Sequence, residues 1–301
     1  MNVDARTVAA TADSAAPAPE IQRVGVVGAG QMGNGIAHVC SLAGLPVVML
    51  DIKQEALEKA LAVMAANMDR QVKRGLITAE DKAAALSRVT TTTDYAAFGD
   101  CDLVVEAATE KEEIKRAVFK TLVPHLSPRC MLATNTSSIS ITRLGAGTDR
   151  PEKFIGMHFM NPVPVMSLVE VIRGHATAEA TFALTAELVA KLGKEMAVAQ
   201  DYPGFIANRV LMPMLNEAIF ALYEGVASAE DIDKAMKLCT NQPMGPLVLA
   251  DFIGLDTVLA ILRVLHEGFG DPKFRPCPLL VKMVNAGHLG RKSGRGFYSY
   301  E

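Results

Sequence analysis

The sequence predicts an α/β fold, a doubly wound, mostly parallel sheet followed by a smaller all-α domain. Three observations carry that expectation. Short β-rich runs alternate with helical stretches over residues 21–200, and parallel strands need such crossovers. Past residue 200 the texture changes to long apolar helices. A glycine-rich turn joins the first strand to the first helix. The 301 residues exceed an average domain of ~100–200, so two are expected, 21–200 and 201–301, behind a leader of residues 1–20.

The elements follow in order. Residues 1–20 hold seven alanines, Pro17 and Pro19, and almost no large apolar side chain, which reads as a disordered, solvated leader. The leader lacks the continuous apolar run of a secretory signal, and its one arginine, Arg6, faces Asp4, Asp13 and Glu20, a poor match to a transit peptide. Strands are expected over 23–27, 46–50, 89–93, 103–106, 131–135, 154–159, 168–172 and 196–199. Helices are expected over 31–43, 53–74 and 111–122, with another from the Thr78 cap to about residue 87. In the second domain, Pro203 starts a helix that continues over 205–223, and Ser228 caps the next. Further helices cover 247–266 and 278–286, and a strand pattern returns at 296–300.

Half the residues are hydrophobic and 21% are charged, a soluble globular composition. The net charge of -3 argues against non-specific nucleic-acid binding. The five cysteines, Cys40, Cys101, Cys130, Cys239 and Cys277, are odd in number and form no C-x-x-C, so neither a disulfide scaffold nor a structural metal is expected. A reducing, cytoplasmic setting fits them. The longest weakly polar run, 36–50, contains His38, Ser41, Gly44 and Pro46 and is too short to span a bilayer.

Gly28-Ala29-Gly30-Gln31-Met32-Gly33 sits between the first strand and the first helix, where a dinucleotide fingerprint belongs. Gly28 permits the tight turn, Gly30 lets the backbone approach a pyrophosphate, and Gly33 allows close helix–strand packing. Gln31 and Met32 open the helix whose free N–H groups would meet the phosphates. Asp51 ends the next strand, eighteen residues after Gly33, where a carboxylate accepts from the ribose hydroxyls of NAD and repels the 2′-phosphate of NADP. The competing reading is an ordinary βα turn. Glu110 and Lys115 follow the 103–106 strand, whose end lines the crevice of such a sheet; a solvated helix start explains them equally well.

His158 lies in an apolar strand, and Glu170 is a carboxylate inside the apolar run Leu168-Val-Glu-Val-Ile172. An ionised carboxylate is costly to bury alone, and pairing with His158 would relieve that cost. The pair would orient the imidazole and favour its protonated form, as a dehydrogenase base requires. A core histidine beside an outward-facing glutamate is the competing reading. Ser137 and Ser138 follow the 131–135 strand and reach the same crevice, and Asn208 sits in the first turns of the second domain, able to face it across a cleft. Taken singly, each is also an ordinary capping or packing residue.

Six motifs occur in order: the glycine fingerprint, Asn135-Thr-Ser-Ser138, His158-Phe-Met-Asn-Pro-Val-Pro164, Val169-Glu-Val171, Asp201-x-Pro-Gly-Phe-x-x-Asn-Arg209 and Gly290-Arg-Lys-Ser-Gly-x-Gly-Phe-Tyr298. Together they resemble the L-3-hydroxyacyl-CoA dehydrogenase family over residues 21–301. The resemblance implies a Rossmann-type NAD domain, a helical domain that makes a homodimer, and hydride transfer between NAD and C3 of a short acyl-CoA, acetoacetyl-CoA or 3-hydroxybutyryl-CoA. It implies that His158 is the general acid–base and Glu170 its orienting partner. Ser137 and Asn208 would bond the reacting oxygens, and Asn161 would hold the substrate and nicotinamide side. Asp51, Glu110, Lys115 and Lys292 would belong to the NAD site. For the polyanionic coenzyme A tail, Arg70, Lys73 and Arg74 form the best basic cluster, with Lys53 and Lys59 upstream; a solvated helix face is the alternative. Two other functions compete: a dehydrogenase of free 3-hydroxy acids, which would rely on a lysine rather than a His–Glu pair, and a non-catalytic dinucleotide-binding protein.

Overall fold

The computed structural model describes residues 20–300. The reading of residues 1–19 as a leader lies outside them. The chain runs β1 (Val24–Val27), α1 (Gln31–Leu42), β2 (Val47–Leu50), α2 (Gln54–Lys73), α3 (Ala79–Ser87), β3 (Val89–Thr92), β4 (Leu103–Glu106) and α4 (Glu112–Leu122). It continues through β5 (Met131–Thr134), α5 (Ile141–Gly145), β6 (Phe154–Phe159), β7 (Leu168–Arg173), α6 (Glu179–Lys191) and β8 (Glu195–Gln200). Five helices close the fold: α7 (Ala207–Tyr223), α8 (Ala229–Cys239), α9 (Pro246–Ile253), α10 (Leu255–Phe269) and α11 (Pro278–Asn285).

The eight strands form one sheet in the order β3-β2-β1-β4-β5-β6-β7-β8. All neighbours are parallel except β6 and β7. Every residue of β1, β2, β4 and β5 is buried, as expected of strands covered on both faces. Alternate side chains feed two cores: Val24, Val26, Val47 and Met49 pack with α1 and α2, whereas Val27, Val48, Leu50 and Val104 pack with α4. A third core, beginning at Met212, belongs to the closing helices. The strand order reverses between β1 and β4, so a crevice opens beyond their C-terminal ends.

The structure corrects three local expectations. The helix anticipated from Pro203 begins at Ala207, because Gly204 (φ 77°) and Phe205 (φ 51°) are left-handed. The 247–266 helix is two, α9 and α10, broken at Gly254 with φ 101°. Residues 296–300 join no sheet; this segment turns back on itself through the Gly290–Arg295 and Arg295–Ser299 bridges. It is pinned instead to buried Asp251, which accepts from the amides of Phe297 and Tyr298 and from the Tyr300 hydroxyl. The capping box at Thr78 forms as read, with Thr78 and Asp81 bonded reciprocally. Two helices, α5 and α6, were not anticipated from the sequence.

Candidate active site

The glycine turn is built as its spacing demands. Gly28 sits at φ 101°, and a side chain there would lie 2.7 Å from the carbonyl of Ala107 on the neighbouring strand end. A side chain at Gly33 would collide with the Gly28 carbonyl. Around Gly30 nothing stands within 4 Å of where a Cβ would be. That open space lies at the start of α1, which carries no side-chain cap and no acidic residue in its first turn. Its free N–H groups and positive dipole end are therefore available to an anion.

A cavity of about 560 Å³ adjoins this turn, lined by Gly28, Gly30, Gln31, Met32, Asp51 and Ala108 among others. Asp51 is held by the Ala29 amide at 2.9 Å and the Lys53 amide at 3.1 Å, which aim its carboxylate along the cavity wall. Exposed Ile52 and half-buried Tyr95 supply apolar surface further along. A pyrophosphate cradle, a ribose acceptor and an apolar end in one cavity fit a dinucleotide.

His158 and Glu170 stand directly opposite each other because β6 and β7 pair antiparallel in that register. His158 Nδ1 lies 2.7 Å from Glu170 Oε2, with His158 only 7% exposed and Glu170 fully buried. An ionised carboxylate only accepts, so Nδ1 carries the hydrogen and Nε2 is left for a ligand. Phe205 closes one side of the ring, edge-on at 6.0 Å between centroids. The other oxygen of Glu170 accepts from the amides of Ile206 (3.0 Å) and Ala207 (2.8 Å), so this carboxylate caps α7. Burial alone would raise the Glu170 pKa; the bonds from His158, Ala207 and Ile206 outweigh it and hold the carboxyl below its ordinary range. The alternative of an outward-facing edge glutamate is excluded, since β7 lies between β6 and β8.

Other predicted residues converge on the same crevice. Gln31 Nε2 donates to Asn161 Oδ1 at 3.0 Å, joining the glycine turn to the loop after β6. Asn208 Nδ2 donates to the Ser137 carbonyl at 3.1 Å, bringing the α7 residue onto the loop after β5. An amide group has two N–H bonds, so one remains available. Glu110 gathers that loop: its Oε1 accepts from Thr136 Oγ1 (2.5 Å), the Ser137 amide (2.8 Å) and the Ser138 amide (3.2 Å).

Three expected site residues are placed away from the crevice itself. Lys115 does not open onto the crevice and is not a solvated helix residue. It is fully enclosed, with its ammonium 2.9 Å from both Glu106 oxygens. Lys292 does not line the dinucleotide cavity; it pairs with Asp256 at 2.5 Å beside Gly254. Of the basic cluster, Arg70 and Arg74 line a separate cavity of about 290 Å³ with Asn67 and Gln71, whereas Lys73 does not. Glu106 escaped sequence reading, although a carboxylate closing the apolar run Leu103-Val-Val-Glu106 is the same signal that singled out Glu170. Among the described residues no cluster of metal-ligating side chains occurs, and no helix is long and apolar enough to cross a membrane.

Residues 23–202 match the NAD-binding domain of 3-hydroxyacyl-CoA dehydrogenase, and residues 204–300 match the C-terminal domain of the same family. The chain belongs to the 3-hydroxyacyl-CoA dehydrogenase family. It is accordingly an oxidoreductase with NAD as its cofactor. Among relatives of this dehydrogenase family, a 3-hydroxybutyryl-CoA dehydrogenase of Bradyrhizobium diazoefficiens is 60% identical over 93% of this chain and 96% of its own length. A probable 3-hydroxybutyryl-CoA dehydrogenase of Deinococcus radiodurans is 55% identical over 92% of this chain and 100% of its own. The crystal structure of (S)-3-hydroxybutyryl-CoA dehydrogenase from Ralstonia eutropha superposes with a TM-score of 0.92 at 51% identity, covering 94% of this chain and 100% of that one.

Proposed function

We propose that this dehydrogenase interconverts 3-hydroxybutyryl-CoA and acetoacetyl-CoA, with His158 as general acid–base. One observation carries the reading: an imidazole fixed through Nδ1 by a buried carboxylate, its Nε2 free, on a strand whose following loop is bonded to the dinucleotide turn. NAD, when bound, would supply the hydride acceptor for C3 in oxidation and the hydride donor in reduction. Gly28, Gly30, Gln31, Met32 and Gly33 would seat its pyrophosphate, and Asp51 its adenosine ribose. Glu110 and Lys115 would serve that site by shaping its wall, and Asn161 would help hold the substrate and nicotinamide side. Lys292, paired with Asp256 beside Gly254, would join that site from outside the cavity lining.

In oxidation His158 Nε2 takes the 3-hydroxyl proton, and Glu170, remaining ionised, steadies the imidazolium that results. In reduction the same nitrogen gives the proton back to the C3 oxygen. Ser137 and the spare N–H of Asn208 would hold the substrate oxygens. Arg70 and Arg74 beside the loop after Asn161 are suited to the anionic coenzyme A tail. The four-carbon substrate rests on the names of the similar proteins.

Helical-domain side chains Val210 (68% exposed), Val226 (72%), Leu238 (74%) and Phe252 (58%) leave apolar surface in water, which supports homodimerisation through that domain. Five free cysteines, four of them buried, suit a cytoplasmic setting. The test is a direct comparison of acetoacetyl-CoA with free acetoacetate, each with NADH and NADPH. Turnover is expected with the thioester and NADH. Equal turnover of the free acid would overturn the thioester, and equal use of NADPH would overturn the role of Asp51.

A further inference from the structure

Below the crevice floor lies a buried carboxylate that takes no part in proton transfer. Glu106 ends β4 with no exposure at all. Its Oε1 accepts from the Ala108 amide at 2.7 Å and from Lys115 Nζ at 2.9 Å. Its Oε2 accepts from the Thr134 hydroxyl at 2.6 Å and again from Lys115 at 2.9 Å. Lys115 is equally enclosed, and its ammonium also lies 3.6 Å from Glu110 Oε2. The opposite oxygen of Glu110 is the one that gathers the Thr136, Ser137 and Ser138 donors. Four separate segments therefore meet through one chain of charges: the ends of β4 and β5, helix α4, and the loop after β5.

A buried ion pair is weak support for stability, because desolvating two ions offsets most of their attraction. Its geometry here has a different consequence. The Glu110 side chain is 39% exposed and, left alone, would exchange among rotamers in water. Lys115 gives it a fixed cation to face, and Lys115 is itself held by both oxygens of Glu106. We propose that Glu106 is a positioning residue for the reaction. It acts through Lys115 and Glu110 to hold the Ser137 loop in register, and through Ala108 to hold the wall of the dinucleotide cavity. This rests on the reading of Ser137 as a substrate contact.

The test is a double-mutant cycle in the full-length enzyme, reading kcat for acetoacetyl-CoA reduction at saturating NADH, with thermal melts alongside. Glu106→Gln is expected to lower kcat about tenfold in the wild-type background and to change it little in a Ser137→Ala background, since contacts in series are not additive. A purely structural pair would alter the melt and leave kcat per folded molecule unchanged, or lower it by the same factor in both backgrounds. Either result overturns the positioning role. If Glu106→Gln does not fold, the charge-free pair Glu106→Met/Lys115→Met enters the same cycle with the same expectation. A Ser137→Ala enzyme working at the full rate would instead remove the serine contact, and the role of Glu106 with it.

Discussion

Glu106 and Glu170 are equally buried and lie on the same face of the sheet, the face that carries Val104 and Ile172, yet they end in different places. Glu106 is closed by Lys115, an ammonium that is itself without exposure. Glu170 is closed on one side by the amides that start α7 and on the other by His158, a titratable ring with one free nitrogen and a remnant of exposure. Burial and charge alone do not separate a scaffold from a chemical group. What separates them is whether the partner can change protonation and still reach a ligand. The comparison also removes a false choice. Glu170 is both an orienting partner for His158 and a structural cap, because its two oxygens serve two elements.

His158→Gln tests the difference between the two carboxylates most directly. If Nε2 carries the proton, kcat should fall ~10²–10⁴-fold while the melting temperature stays near that of the parent. A folded variant that keeps near-parental turnover would leave the pair purely structural.

Glu170→Gln comes next, because it should act on stability and chemistry together. Losing a charge that accepts from three donors should cost about 1–3 kcal/mol. The folded-state pKa of Glu170 is depressed, so its stabilisation is present above the ordinary glutamate value of ~4.3 and is lost as pH falls through the lower folded value. Melts of parent and variant should therefore differ fully at neutral pH and converge in acid. Turnover should fall as well, since the imidazolium formed in oxidation loses the anion that steadies it. A stability loss with unchanged kcat per folded molecule would leave Glu170 a structural cap alone.

The smallest effect is expected from Thr134→Val, which removes one hydroxyl donor from Glu106 and leaves Lys115 and the Ala108 amide in place. A loss of about 1–2 kcal/mol without displacement of the pH–rate profile is the expected outcome. A displaced profile would show that the closed cluster senses the proton after all.

Much of the fold was legible because its signals are local. The glycine spacing of 28, 30 and 33, the short β-rich runs and the Thr78 cap each act within a few residues. Gly254 was equally local, but its left-handed backbone split a helix that its apolar flanks had seemed to continue. The His158–Glu170 pair could be anticipated because a carboxylate inside an apolar run needs a partner. The same argument applies to Glu106, whose partner Lys115 lies nine residues away on the following helix.

The sequence alone carries the dinucleotide turn, the parallel sheet, the helical second domain and the candidates His158 and Glu170 for a buried pair. Those features depend on residue type and short-range spacing. The tertiary structure decided the partners: Lys115 for Glu106 and Glu110, the α7 amides for the second oxygen of Glu170, Asp256 rather than the dinucleotide cavity for Lys292, and Arg70 with Arg74 but not Lys73 beside a cavity. A hydrogen bond depends on the distance and direction between two groups, and for residues 36 or 37 positions apart, as Glu170 is from Ile206 and Ala207, those exist only once strand and helix have packed.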